Sequence, residues 1–183
     1  MAHGFAAYKL GDNTAKYDGR LSLNPLRHID PYGALCMLFF GFGWAKPVMV
    51  NPNYFKKPKR DMALTALFGP VSNFILAYIG MLAFLYLCPL VNNIYFYNFF
   101  YLLISLNISL GIFNLIPIPP LDGSKIFLSL LPRSIYYEIM RYERFGFIVL
   151  IIALYLDVLD PILSFCTNGI WWILTLLAGG GLI

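Results

Sequence analysis

From Met62 to Leu121 the chain contains no Asp, Glu, Lys or Arg, and the stretch ends on Asp122. A run this long and this apolar has room for two crossings of a bilayer, each needing about 20 residues. A carboxylate at its end is costly to place at membrane depth, and such groups usually face a cavity and carry function. The residues leading to it, Asn114-Leu115-Ile116-Pro117-Ile118-Pro119-Pro120-Leu121-Asp122-Gly123, hold three prolines. Proline removes a backbone donor and interrupts a helix, and that is tolerated within a membrane only where protein or water satisfies the freed carbonyls. The chain is therefore expected to build a polar site at one end of a membrane helix.

Composition supports this reading. Hydrophobic residues make up 60% and charged residues 12%, against about 25% charged in an ordinary soluble domain. Aromatics at 17% suit a protein with residues at bilayer interfaces. The net charge of +4 is small and scattered, so nucleic acid is not an expected partner. Lys56, Lys57, Lys59 and Arg60 cluster directly before an apolar span, as a cytoplasmic anchor does. Cys36, Cys88 and Cys166 have no CxxC spacing and are expected as buried thiols, neither disulfides nor zinc ligands. No secretory signal peptide is expected, because the first apolar run begins near Ala34.

These features predict an all-α membrane protein, a polytopic transmembrane helix bundle in one domain over residues 1–183. A helix over Ala2 to Leu10 is expected to stop at Gly11-Asp12. Ala34 to Ala45, interrupted by Gly41 and Gly43, is too short for a span. It reads as a re-entrant or hairpin element near residues 34–50. Met62 to Cys88 and Ile94 to Ile116 are spans, the first kinked near Gly69-Pro70. Ser134 to Leu156 reads as one helix, interfacial and then membrane-embedded. It is broken by Asp157 to Pro161 before a further span from Ile162 to Ile183, with Trp171 and Trp172 buried.

Asn114-x-x-Pro117-x-Pro119-x-Leu121-Asp122-Gly123 matches the NxxPxPxLDG motif, and Gly69-Pro70-Val71-Ser72-Asn73 resembles the GPxxN element on a preceding span. His3 to Gly33 and Lys46 to Pro52 carry a further likeness to the same family, the first to the segment that follows its metal-binding helix. On these residues the chain resembles the site-2 protease family of intramembrane zinc metalloproteases, in its short bacterial and archaeal branch. The resemblance implies a Zn cofactor and cleavage of the transmembrane segment of a membrane-tethered protein. It also implies a multi-pass place in a prokaryotic cell membrane. In HExxH the two His, four apart, face one metal, and the Glu takes a proton from the metal-bound water. The LDG carboxylate is the third ligand of such an open site. Aligned in this way, Met1-Ala2-His3 are the last three letters of HExxH. His3 and Asp122 are the implied metal ligands, while the other His and the catalytic Glu do not fall within these residues. The implied reading is a truncated piece or a mis-assigned start, inactive as 183 residues. A relative that hydrolyses nothing and binds membrane helices is the alternative, as is a small cation transporter using Asp122 in a broken helix.

Each candidate also has an ordinary role. Asp122 can cap a helix beginning at Ser124. Asn73 and Asn114 either bridge helices through their amides or line a substrate or oxyanion site. His28 is expected as a turn histidine, and Glu138 and Glu143 as partners of Arg141 and Arg144.

Overall fold

The computed structural model describes residues 1–40 and 45–180, excepting the side chains at positions 40 and 144. Among these residues it is all-α, with ten α-helices, no strand and one isolated antiparallel bridge. Two helices are long and apolar enough to cross a membrane, or up to three if a bent pair counts as one span. This bears out the all-α, polytopic membrane expectation. The chain forms two compact units, Met1–Phe68 and Gly69–Ile183.

In the first unit, α1 (Ala2–Lys9) ends where expected. Gly11 takes φ +111, a backbone region open to glycine and strained for other residues. Asp12 follows, fully buried. Its Oδ1 accepts from the Thr14 amide at 2.9 Å and from the Thr14 hydroxyl at 2.5 Å. Its Oδ2 accepts from the Asn51 amide at 2.7 Å. One carboxylate thus starts α2 (Thr14–Tyr17) and ties a distant strand-like segment to the end of α1.

The helix α3 (Pro31–Phe40) is started by Asp30, whose Oδ1 accepts from the amides of Tyr32 and Gly33 at 3.0 and 2.9 Å. The chain then returns: Ile29 bridges Ala45, and the Lys46 amide donates to the His28 carbonyl at 3.0 Å. This closed excursion agrees with the hairpin expected near residues 34–50, although its helix begins earlier, at Pro31. The stretch with Gly41 and Gly43 lies outside the described residues. The unit ends on α4 (Pro58–Tyr86), a 29-residue helix that runs on into the second unit.

There α4 runs without interruption through Pro70, and Ser72 Oγ donates to the Gly69 carbonyl at 2.7 Å. A short helix α5 (Cys88–Val91) and the left-handed Asn92, φ 47, make the turn into α6 (Ile94–Asn114). The core gathers Ala77 and Met81 of α4 and Ile104, Ile108 and Ile112 of α6. Leu174 of α10 (Asp160–Leu177) joins them, as does Ala178 just beyond it. Small residues permit the close packing that lipid-embedded helices rely on. At Gly111 a Cβ would meet the Phe74 ring at 2.7 Å, and at Gly80 it would meet Ile104 at 3.1 Å.

Beyond α6 lie α7 (Asp122–Leu128), α8 (Arg133–Arg141) and α9 (Glu143–Tyr155). The helix expected over Ser134 to Leu156 is thus two helices parted at Tyr142. The expected break falls at residues 156–159, with Asp157 at φ 54, and Pro161 lies in the first turn of α10. Residues Phe145–Tyr155 and Asp160–Leu177 meet at 84° and pass as a span only together. Among the described residues, Ile162 to Ile183, read as a separate crossing, thus passes only as half of this bent pair. Its end, residues 181–183, lies outside the described residues. Trp171 is half-buried against the core and against Tyr101, whereas Trp172 is exposed, contrary to expectation. Of the cysteines only Cys88 is buried, and Cys36 and Cys166 are half-buried.

Candidate metal centre

His3 lies in the first turn of α1, half-buried. Its Nδ1 is 2.9 Å from the backbone carbonyl of Thr65 on α4. A carbonyl can only accept, so Nδ1 is the donor, and in the neutral ring the lone pair then resides on Nε2. This is the arrangement metal-binding imidazoles use: one nitrogen donates to a carbonyl or carboxylate, which fixes the tautomer and the ring plane. Nothing in the sequence pointed to Thr65. Its role is played by a backbone oxygen 62 residues away, which carries no residue-type signal.

Thr65 is 2% exposed, and its Oγ1 is buried without a hydrogen-bond partner among the described residues. An unpaired buried hydroxyl is destabilising. Thr65→Val is therefore expected to leave stability unchanged or raise it by about 1 kcal/mol, read as a shift in the unfolding midpoint. The backbone carbonyl that His3 uses survives that substitution.

Asp122 occupies the first position of α7, with Leu121 in the capping position. Leu121 makes no side-chain cap; its carbonyl accepts from the Ser124 amide and hydroxyl at 3.1 and 2.7 Å. The proline-rich turn is folded tightly against the end of α6. A Cβ on Gly123 would lie 2.1 Å from the Leu115 carbonyl oxygen and 2.4 Å from that of Ile116. On the far side, a Cβ on Gly146 of α9 would lie 2.3 Å from the Pro119 oxygen. The Pro119-Pro120 peptide is cis. Lys125 Nζ stands 3.9 Å from Glu143 Oε1, joining α7 to α9. Glu143 thus has a partner that the sequence reading, which paired it locally, did not name. Asp122 is consequently carried on a helix start held from two sides by glycine contacts.

Asn73 on α4 and Asn114 at the end of α6 are both half-buried. The Phe74 ring packs on Gly111, so the two helices approach closely one residue from Asn73 and three from Asn114. His28 is a turn histidine as expected, its Nε2 2.8 Å from the Ser22 carbonyl. Glu138 is exposed on α8.

The profile of Peptidase family M50 matches residues 89–154. A Bacillus subtilis (strain 168) protein named "Putative zinc metalloprotease YwhC" is 44% identical over 158 residues, 83% of this chain and 72% of that one. The chain belongs to Peptidase family M50. A similarly named protein of Mycolicibacterium smegmatis, Rip2, is 24% identical over 84% of this chain and 61% of its own length. One from Streptococcus pneumoniae R6 is 40% identical over 65 residues, 33% of this chain and 16% of its own. No solved structure matches. Membership in M50, the site-2 protease family, and the apolar helices together make the chain an integral membrane protein.

His3 suits a metal ion, since the Thr65 carbonyl takes its Nδ1–H and leaves Nε2 to donate when the ring is neutral. Among the described residues, however, no group of three His, Cys, Asp or Glu could hold an ion. The described residues therefore include a prepared imidazole but no complete ligand set.

Proposed function

We infer that the chain is the membrane-embedded domain of a zinc endopeptidase that cleaves a transmembrane segment of a membrane-tethered protein. The observation that carries this is the Nδ1 contact of His3 to the Thr65 carbonyl, on a chain that belongs to M50. His3 Nε2 and the Asp122 carboxylate are its proposed zinc ligands. A zinc ion held there would supply Lewis-acid polarisation of water and of the scissile carbonyl. Thr65 orients the His3 ring. Gly123 and Gly146 let the proline-rich turn close, which sets the start of α7 and so the carboxylate. Asn73 and Asn114 are proposed to hydrogen-bond the unwound substrate strand, since a peptide bond is exposed to attack only once its helix is locally opened.

The two glutamates of this sequence, Glu138 and Glu143, lie in an exposed position and beside Lys125. Neither is proposed as the base, and residues 1–183 by themselves are expected to hydrolyse nothing. The codons immediately before Met1 separate an active protease from a helix-binding relative: His-Glu in frame supports the first, and its absence the second.

The test uses the full reading frame co-expressed with a reporter tethered by a single transmembrane helix. Release of the reporter is expected to fall at least a hundredfold in Asp122→Asn, with the variant still membrane-inserted at wild-type level. Unchanged release in Asp122→Asn would remove that residue from the chemistry.

A further inference from the structure

Arg20 is 3% exposed, yet it carries a full charge. Its Nη1 donates to the Arg27 carbonyl, and among the described residues it takes part in no ion pair. A guanidinium withdrawn from water normally has an anion or enough acceptors to compensate it. Arg20 instead lines an open cleft of about 500 Å³ together with two further cations, Arg27 and Lys46.

The backbone builds this cleft. Gly19, at φ +66, leaves room for Arg27, whose Nη1 would stand 2.8 Å from a Cβ at that position. The His28 ring holds the 22–28 turn through the Ser22 carbonyl. Lys46 is delivered by the hydrogen bond from its backbone amide to the His28 carbonyl and by the bridge between Ile29 and Ala45. Two carboxylates also line the cleft. Asp30 spends its Oδ1 on the amides that open α3, and Asp18 is exposed.

We propose that this cleft binds the phosphodiester group of an anionic phospholipid. Guanidinium forks match phosphate oxygens in pairs, which favours phosphate over a simple point-charge counterion. Three cations against two carboxylates leave a deficit of one negative charge, which a phosphodiester monoanion supplies. The rim favours a lipid over a soluble phosphate. Leu26 and Tyr32 line the cleft at 75% and 74% exposure. The exposed Leu35, Met37 and Leu38 of α3 continue away from it. Aromatic and apolar side chains beside a basic pocket are what a membrane-water interface accommodates.

The experiment is native mass spectrometry of the full chain in detergent, titrated with dioleoyl phosphatidylglycerol or dioleoyl phosphatidylcholine. Wild type is expected to retain one phosphatidylglycerol and to bind phosphatidylcholine at least tenfold more weakly. Arg27→Gln with Lys46→Gln, both at exposed positions, is expected to weaken phosphatidylglycerol about tenfold. Arg27→Lys, which keeps the charge and loses the fork, is expected to fall between. The charge-matched pair Lys16→Gln with Arg133→Gln should bind as wild type. Equal weakening in both double variants would overturn the proposal in favour of diffuse surface charge. So would equal retention of the two lipids. Displacement of phosphatidylglycerol by glycerol 3-phosphate at the concentration of the lipid itself would overturn the lipid as the source of the phosphate.

Discussion

Gly123→Ala is expected to leave little folded protein. The added Cβ would stand 2.1 and 2.3 Å from the Leu115 carbonyl oxygen and carbon, and 2.4 Å from the Ile116 oxygen. Overpacking a core usually costs about 1–3 kcal/mol, because side chains can turn aside. Here every nearby atom is backbone at the end of α6, so relief requires moving α7 or unwinding α6. The expected cost exceeds about 4 kcal/mol, read as a fall in the unfolding midpoint in mixed micelles or as loss of membrane-inserted protein. Gly169 on α10 is the control. Nothing lies within 4 Å of its Cβ position, so Gly169→Ala should be neutral or stabilising by up to about 1 kcal/mol. A mild effect at Gly123, equal to that at Gly169, would show that the turn carrying Asp122 is not held as described.

Asp12→Ala carries the second large effect. The carboxylate is fully buried and accepts three hydrogen bonds, two from Thr14 and one from the Asn51 amide. Bonds to a charged acceptor contribute about 1.5–3 kcal/mol each, and removing the acceptor leaves donors unsatisfied. A loss of about 3–5 kcal/mol is expected. The damage should be local to the first unit, because Asp12 joins the end of α1 to the segment before α4. Hydrogen exchange at the Thr14 and Asn51 amides is expected to rise steeply, while amides of α6 keep their protection. Asp12→Asn, which can still accept but lacks the charge, should recover part of the loss. Exchange rising equally along α6 would mean that the clamp does not act locally.

Much of this was legible from the residues. The charge-free stretch from Met62 to Leu121 placed α4 and α6 because lipid leaves helical spans with no alternative to apolar surface. The Gly11-Asp12 stop of α1 was legible as a helix end. The weight Asp12 carries was not, since its partner Asn51 lies 39 residues on. Asp122 stood out as a costly carboxylate, but its position as the first residue of α7 depends on Gly123 meeting Leu115, a tertiary contact. The parting of α8 from α9 at Tyr142 has no Gly or Pro to announce it. The packing of Gly146 on Pro119 belongs to the fold, not to local propensity. Pro70, where a kink was expected, lies fully buried inside an uninterrupted helix. The Thr65 carbonyl on His3 could not be read at all, because a backbone oxygen is the same in every residue.

The central proposal is that His3 and Asp122 donate to one zinc ion; among the described residues no group of three ligating side chains completes the site. Zinc titration of the 183-residue chain tests it directly, with His3→Ala and Asp122→Asn measured alongside. The expected result is weak, substoichiometric binding that either substitution abolishes. Tight, equimolar zinc that persists in Asp122→Asn would contradict the account.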